Sequence, residues 1–307
     1  MKKSIIWIFA AFLLVLVAGI VLYSLAGPYE LETHEYEIKE NFKDIKITTD
    51  IADIQFILSE TPGSFVVCEE EKNANHSVTV KENTLRIEIV DEQKWYEDIG
   101  IKLRIPKIKV YLGKGEYGNI SLETGTGNIS LDNIIATGKL ATETGTGNVS
   151  LEACVASEFF IKTDTGNVLL DDVITTGKLS IETDTGNVNF EACDASEVII
   201  KTDTGNVTGS FLTDKVVFAE SNTGKIDIPK VIADEKCEII TDTGNIKITI
   251  SRKRIEPIRF SRKISGLYFR KNPYNIDILS RIFPSSILTD LYVRMDEGKI
   301  RDNMSIL

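Results

Sequence analysis

The sequence is short of the residues that carry most chemistry. Its 307 residues include two histidines, four cysteines, three methionines and two tryptophans. The cysteines, Cys68, Cys154, Cys193 and Cys237, stand far apart, so the Cys-x-x-Cys pairs of metal and redox sites are absent. His34 and His76 both precede the repetitive part of the chain, and neither has a nucleophile or a metal-ligand partner close by in sequence. Positive charge is scarce too. The net charge of -11 disfavours nucleic acid as a partner, because phosphate binding needs clustered Lys and Arg. The deficit is uneven: residues 251–307 hold 12 Lys/Arg against 6 Asp/Glu, so the body before them is strongly acidic.

One long apolar run is present. Lys2 and Lys3 precede an uncharged stretch whose apolar heart, Ile5 to Tyr23, can span about 30 Å of hydrocarbon as a helix. Lysines before it and Glu30, Glu32 and Glu35 after it fit a cytoplasmic start and an exterior body. Residues 1–29 are therefore expected to be a single-pass membrane anchor. Two rival readings stay open: a signal peptide cleaved after the small residues Ser24-Leu25-Ala26, and a core helix. No cysteine follows the run to take a lipid. Anchor and signal peptide both place the body outside the cytoplasm.

The body repeats itself. Thr-x-Thr-Gly-Asn occurs at 124–128, 144–148, 163–167, 183–187, 202–206 and 241–245, with Ser221-Asn222-Thr223-Gly224-Lys225 as a degenerate copy. On top of this, residues 131–168 match 170–207 at 27 of 38 positions. A period of about 20 residues with β-branched segments and Gly-Asn corners predicts one solenoid coil per period, about seven in all. Apolar residues recur at fixed offsets from each glycine, as in Ile120, Leu140, Phe159, Leu179, Val198 and Val217. Strand alternation sends such columns inside. The column one residue out of phase (Glu123, Glu143, Lys162, Glu182, Lys201, Glu220) faces solvent, with charges that alternate up the stack from Glu143. The expected turn formers are Gly127, Asn128, Gly147, Asn148, Gly166, Asn167, Gly186, Asn187, Gly205, Asn206, Gly244 and Asn245, because Gly and Asn accept the left-handed region.

Residues 30–117 also read as β, with alternating segments at 42–47, 54–57, 65–67, 77–80, 85–89 and 101–106 and a hairpin turn at Lys81-Glu82-Asn83. They are expected to cap the solenoid of residues 118–250. The order of anchor, β segment ending in Lys102-Leu103-Arg104-Ile105-Pro106, then Ile120-Ser121-Leu122-Glu123-Thr124-Gly125-Thr126-Gly127-Asn128 resembles the bacterial putative-adhesin family of β-strand-repeat proteins, a domain of unknown function, over roughly residues 40–250. The resemblance implies an all-β, right-handed β-solenoid outside the cytoplasm, often membrane-attached. It supplies no catalytic residues.

The tail, residues 251–307, lacks the repeat, and Pro257, Pro273 and Pro284 interrupt it, with a weak amphipathic helix at Tyr274–Ile282. It reads as a basic appendage touching anionic lipid or wall polymer, as an irregular cap, or as sequence foreign to the rest. Among possible sites, Asp164, Asp184, Asp203 and Asp242 stack two residues before their glycines, as bonds within each turn, as a cation site or as catalytic acids, in a column that Gly125 and Gly145 break. Cys154 and Cys193 sit two coils apart, too far for a disulfide, and read as buried small hydrophobes. The first Thr of each Thr-x-Thr shares the inward parity, which argues against an ice-binding face.

The expected function is a non-enzymatic, membrane-anchored adhesive or surface-binding module that needs no cofactor, with wall polymer or a surface protein as its partner. The alternatives are an envelope-sensing accessory protein acting through a membrane partner, and a glycan-cleaving β-helix, for which no outward cluster of acids with Arg or Lys is present.

Overall fold

A computed structural model of the chain describes residues 31–59, 63–71, 76–90, 105–232 and 236–251, and five tail strands: Ile258–Arg262, Leu267–Asn272, Asn275–Ser280, Thr289–Asp296 and Lys299–Asn303. All regular structure there is β. The candidate anchor, residues 1–29, lies outside the described residues.

The alternating sequence of each repeat folds into a strand, a tight corner and a second strand, and the coils stack in parallel. On the first sheet, Ile120–Thr126 pairs with Lys139–Thr146, which pairs with Glu158–Thr165 and then Lys178–Thr185. The ladder continues through the second halves of the long strands Val188–Thr204 and Val207–Thr223 to Lys236–Thr243. These rungs enclose about 6 turns. The second sheet stacks Ile129–Asp132, Val149–Glu152 and Val168–Asp171 in the same register. A short third side carries Val155–Ala156 and Ile174–Thr175.

The inward columns form the core. Ile120, Leu140, Phe159, Leu179, Val198 and Val217 are buried, as are Ile129, Val149, Val168, Val188, Val207 and Ile226. Each fully buried aliphatic side chain of this kind contributes about 1.5–3 kcal/mol. Cys154 and Cys193 lie in this core as free thiols, like Cys68 in the N-terminal part. The Cys237 side chain lies outside the described residues.

The ladder passes through the boundary expected at residue 117. Asp44–Ile51 lies parallel to Ile120–Thr126, with Ile45 opposite Ile120 and Thr49 opposite Thr124. Asp53–Leu58 lies parallel to Ile129–Asp132. Residues 44–58 are therefore a coil of the solenoid, placed ahead of the first Thr-Gly-Asn coil. Beyond them stack Thr84–Ile89 and Lys107–Leu112, also parallel. The last of these strands follows the 101–106 segment expected to be extended. True capping strands run antiparallel: Ser64–Glu71 on Lys107–Leu112, Leu31–Ile38 on Ser64–Glu71, and His76–Lys81 on Thr84–Ile89. The expected hairpin turn is present, with Glu82 and Asn83 both at positive φ (49° and 62°), the signature of a two-residue primed turn.

At the far end, Asn275–Ser280 pairs antiparallel with Ile246–Ser251 and with Leu267–Asn272. This overturns the helix expected at Tyr274–Ile282. Ile276 and Ile278 alternate with Asp277, a period of two that suits a strand.

Candidate functional site

The repeat motif is used up in holding coils together. The first threonine of each motif is buried and donates its hydroxyl to the corner carbonyl of the coil before. Thr144 Oγ1 donates to the Gly127 oxygen at 2.9 Å, Thr163 to Gly147 at 3.0 Å and Thr183 to Gly166 at 3.2 Å. The asparagines form a ladder on the outside. Asn148 Oδ1 accepts both the backbone N–H and the side-chain amide of Asn167, at 2.8 and 3.2 Å, and Asn167 does the same for Asn187. The ladder starts on a carboxylate, since Asp53 Oδ1 accepts the corresponding pair from Asn128 at 2.8 and 3.0 Å.

The glycines serve a purpose other than the one expected. Gly147, Gly166, Gly186, Gly205, Gly224 and Gly244 lie outside the left-handed range of φ; among the repeat glycines only Gly127 lies within it, at 153°. Instead, a Cβ at any of them would overlap the carbonyl oxygen of the corner one coil back. Close stacking of backbones excludes every side chain there. Left-handed backbone occurs at the next corner, six residues on, at Asn133, Ala153, Asp172 and Ala192.

The aspartate column lies on the surface, with Asp164, Asp184, Asp203 and Asp242 all exposed. Asp203 Oδ1 accepts from the Asn222 amide at 3.0 Å, and Asp164 sits 3.9 Å from Lys162 Nζ. Lys162 also pairs with Glu143 at 3.3 Å, as the alternating outer charges require.

Two features were not visible in the sequence. On the third side, Ile135, Val155 and Ile174 are 37–44% exposed and stack on one another, an apolar ladder open to solvent. Next to it the second sheet carries Leu169, 50% exposed, beside a groove of about 300 Å³ that Phe190, Asn189, Thr208 and Gly209 help to line.

The second feature is a buried polar cluster in the N-terminal cap. Glu70 is 1% exposed and receives both histidines of the chain. His76 Nδ1 lies 2.6 Å from Glu70 Oε2, which also accepts the His76 backbone N–H at 2.8 Å. His34 Nδ1 lies 3.0 Å from Glu70 Oε1. Thr49 Oγ1 is 3.0 Å from His76 Nε2, and the Tyr36 hydroxyl donates to the His76 carbonyl at 3.4 Å. Cys68 faces the same space, because it is two residues from Glu70 along one strand and directly opposite His34. Burial first, and then the Glu70 charge, push its thiol up to about 12. Read as separate residues, His34 and His76 showed no partners; the antiparallel pairing of distant strands brings them to one carboxylate.

Residues 42–254 match the family described as Toastrack DUF4097. The chain belongs to that family. The match starts at the coil of residues 44–58, in agreement with the continuous ladder. Among solved structures, the Toastrack chain is similar to a putative adhesin from Bacteroides fragilis, at 19% identity and a TM-score of 0.51, over 71% of this chain and 96% of that one. It is also similar to a putative adhesin from Parabacteroides distasonis, at 11% identity and a TM-score of 0.43, over 74% and 96%. The likeness to the first of these supports the fold. No curated protein matches the chain.

Proposed function

We propose that this Toastrack protein is a membrane-anchored, extracytoplasmic binding module that presents a rigid β-solenoid, right-handed in its winding, to a wall polymer or a surface protein. The observation that carries the reading is the stacked, solvent-exposed apolar ladder of Ile135, Val155 and Ile174. Lone exposed apolar side chains are ordinary, but a contiguous set on a rigid face is the usual form of a contact surface. The repeat chemistry supports a scaffold role, since the Thr, Gly and Asn columns are spent on coil-to-coil bonds. The apolar run at Ile5–Tyr23, with lysines before and glutamates after, supports the anchor and its orientation.

The test uses cells making the full chain. After fractionation the chain is expected in the membrane, and protease added from outside should remove the body. Cells carrying I135S, V155S and I174S together should keep the protein in the membrane but bind less to envelope material. A body protected from external protease would refute the topology; undiminished binding by the triple variant would refute the contact face.

A further inference from the structure

We propose that Cys68, Glu70 and His76 form a zinc site that clips two strands of the N-terminal cap together. The three side chains come from two strands, Cys68 and Glu70 from Ser64–Glu71 and His76 from the start of His76–Lys81, and His34 of Leu31–Ile38 reaches Glu70 from a third. One ion would therefore join these two cap strands.

The donor types select the metal. A thiol, a carboxylate and an imidazole form a mixed S, O and N set, which suits zinc; calcium and magnesium take oxygen ligands. The geometry is close to what zinc needs. The ligand atoms of Cys68, Glu70 and His76 all lie within 4.8 Å of one another. Donors around a tetrahedral zinc ion stand about 3.3–3.6 Å apart, as metal–ligand lengths near 2.0–2.3 Å dictate. The His76–Glu70 contact of 2.6 Å must open by less than an ångström, which a small rotation of the carboxylate supplies. His34 Nδ1 holds the other carboxylate oxygen from outside that set, at 3.0 Å.

The surroundings support a built site. Cys68, Glu70 and His76 are 0%, 1% and 4% exposed, so water has little access. Thr49, itself buried, holds His76 Nε2 and turns Nδ1 toward the carboxylate, the kind of outer contact that fixes a ligating imidazole. A buried carboxylate is costly unless its charge is matched, and a divalent cation matches it.

Protons alone could hold His76 and Glu70 together, and the two cases differ at Cys68. In a proton-held network its thiol stays neutral and inert. Zinc binding breaks the S–H bond, forms a Zn–S bond and releases the proton to solvent, with no change of oxidation state.

The experiment uses the full chain, purified in detergent and freed of metal with a chelator, then titrated with Co²⁺ as a visible stand-in for zinc. One equivalent should produce a thiolate-to-cobalt charge-transfer band, and Zn²⁺ should abolish it by displacement. C68S should lose the band, whereas the C154S/C193S double variant should keep it. T49V should weaken metal affinity by about 10–100-fold. Absence of the band in the parent protein, or its persistence in C68S with native circular dichroism, would overturn the site.

Discussion

The coil at residues 44–58 and the coils after Ile120 share one ladder but not one corner chemistry. Where the later coils have Gly-Asn, this one has Ala52-Asp53. In each Thr-Gly-Asn coil a Cβ at the glycine would run into the carbonyl of the corner behind it, and for Gly127 that carbonyl belongs to Ala52. Behind Ala52, the two strands of the neighbouring rung are joined by the 17 residues 90–106 instead of a Gly-Asn pair. The alanine is therefore tolerated where a repeat would demand glycine. Asp53 likewise needs only to accept from the coil ahead, which a carboxylate does well. Glycine is thus a requirement of a corner that stacks on another tight corner, and the coil at 44–58, though its strands are paired on both sides, is released from it.

Substitutions can break this comparison. The largest effect is expected from G186A, whose new Cβ would overlap the Gly166 carbonyl, an atom already held in the ladder. It should cost about 3 kcal/mol in urea unfolding, against under about 1 kcal/mol for A52G. Next, N167A removes an acceptor used twice by Asn187 and a donor to Asn148, and should cost about 1–2 kcal/mol. An equal loss from both glycine and alanine corners would show that the coils are equivalent after all.

Two changes should raise stability. Among the described residues, the buried Thr142 hydroxyl has no hydrogen-bond partner, although it stands in a column with Leu122 and Ile161. T142V should gain about 1 kcal/mol, while T163V, which deprives the Gly147 carbonyl of its donor, should lose a similar amount. The smallest effect is expected at Ala192, at φ 50°, where A192G relieves left-handed strain and should raise the melting temperature slightly, by about 0.5–1 kcal/mol of stability. Differential scanning calorimetry reads both signs.

Much of the solenoid was legible because its signals are local and repeated. The offsets from each glycine gave the inward columns, the outward charges and the inward threonines. The corner glycines could be found but not explained, since their role rests on a contact with another coil. The coil at 44–58 was missed as a coil because it carries no Thr-Gly-Asn and stacks out of chain order. The Cys68–Glu70–His76–His34 cluster was hidden for a related reason. Its members are dispersed over the cap strands, and only the antiparallel pairings place His34 across from Cys68.

The account depends most on the cap and the repeats forming a single ladder, and amide hydrogen exchange on the full chain tests this directly. The backbone N–H of Ile54 donates to the Asn128 carbonyl at 2.8 Å, and that of Ile45 to Asn119 at 2.9 Å, so both are locked by the first repeat coil. Peptides covering residues 44–58 should exchange as slowly as those covering 129–152 and open together with them as denaturant is added. If residues 44–58 instead exchange fast, or open as a separate unit while the repeats stay closed, the cap is an independent piece and the continuous solenoid is contradicted.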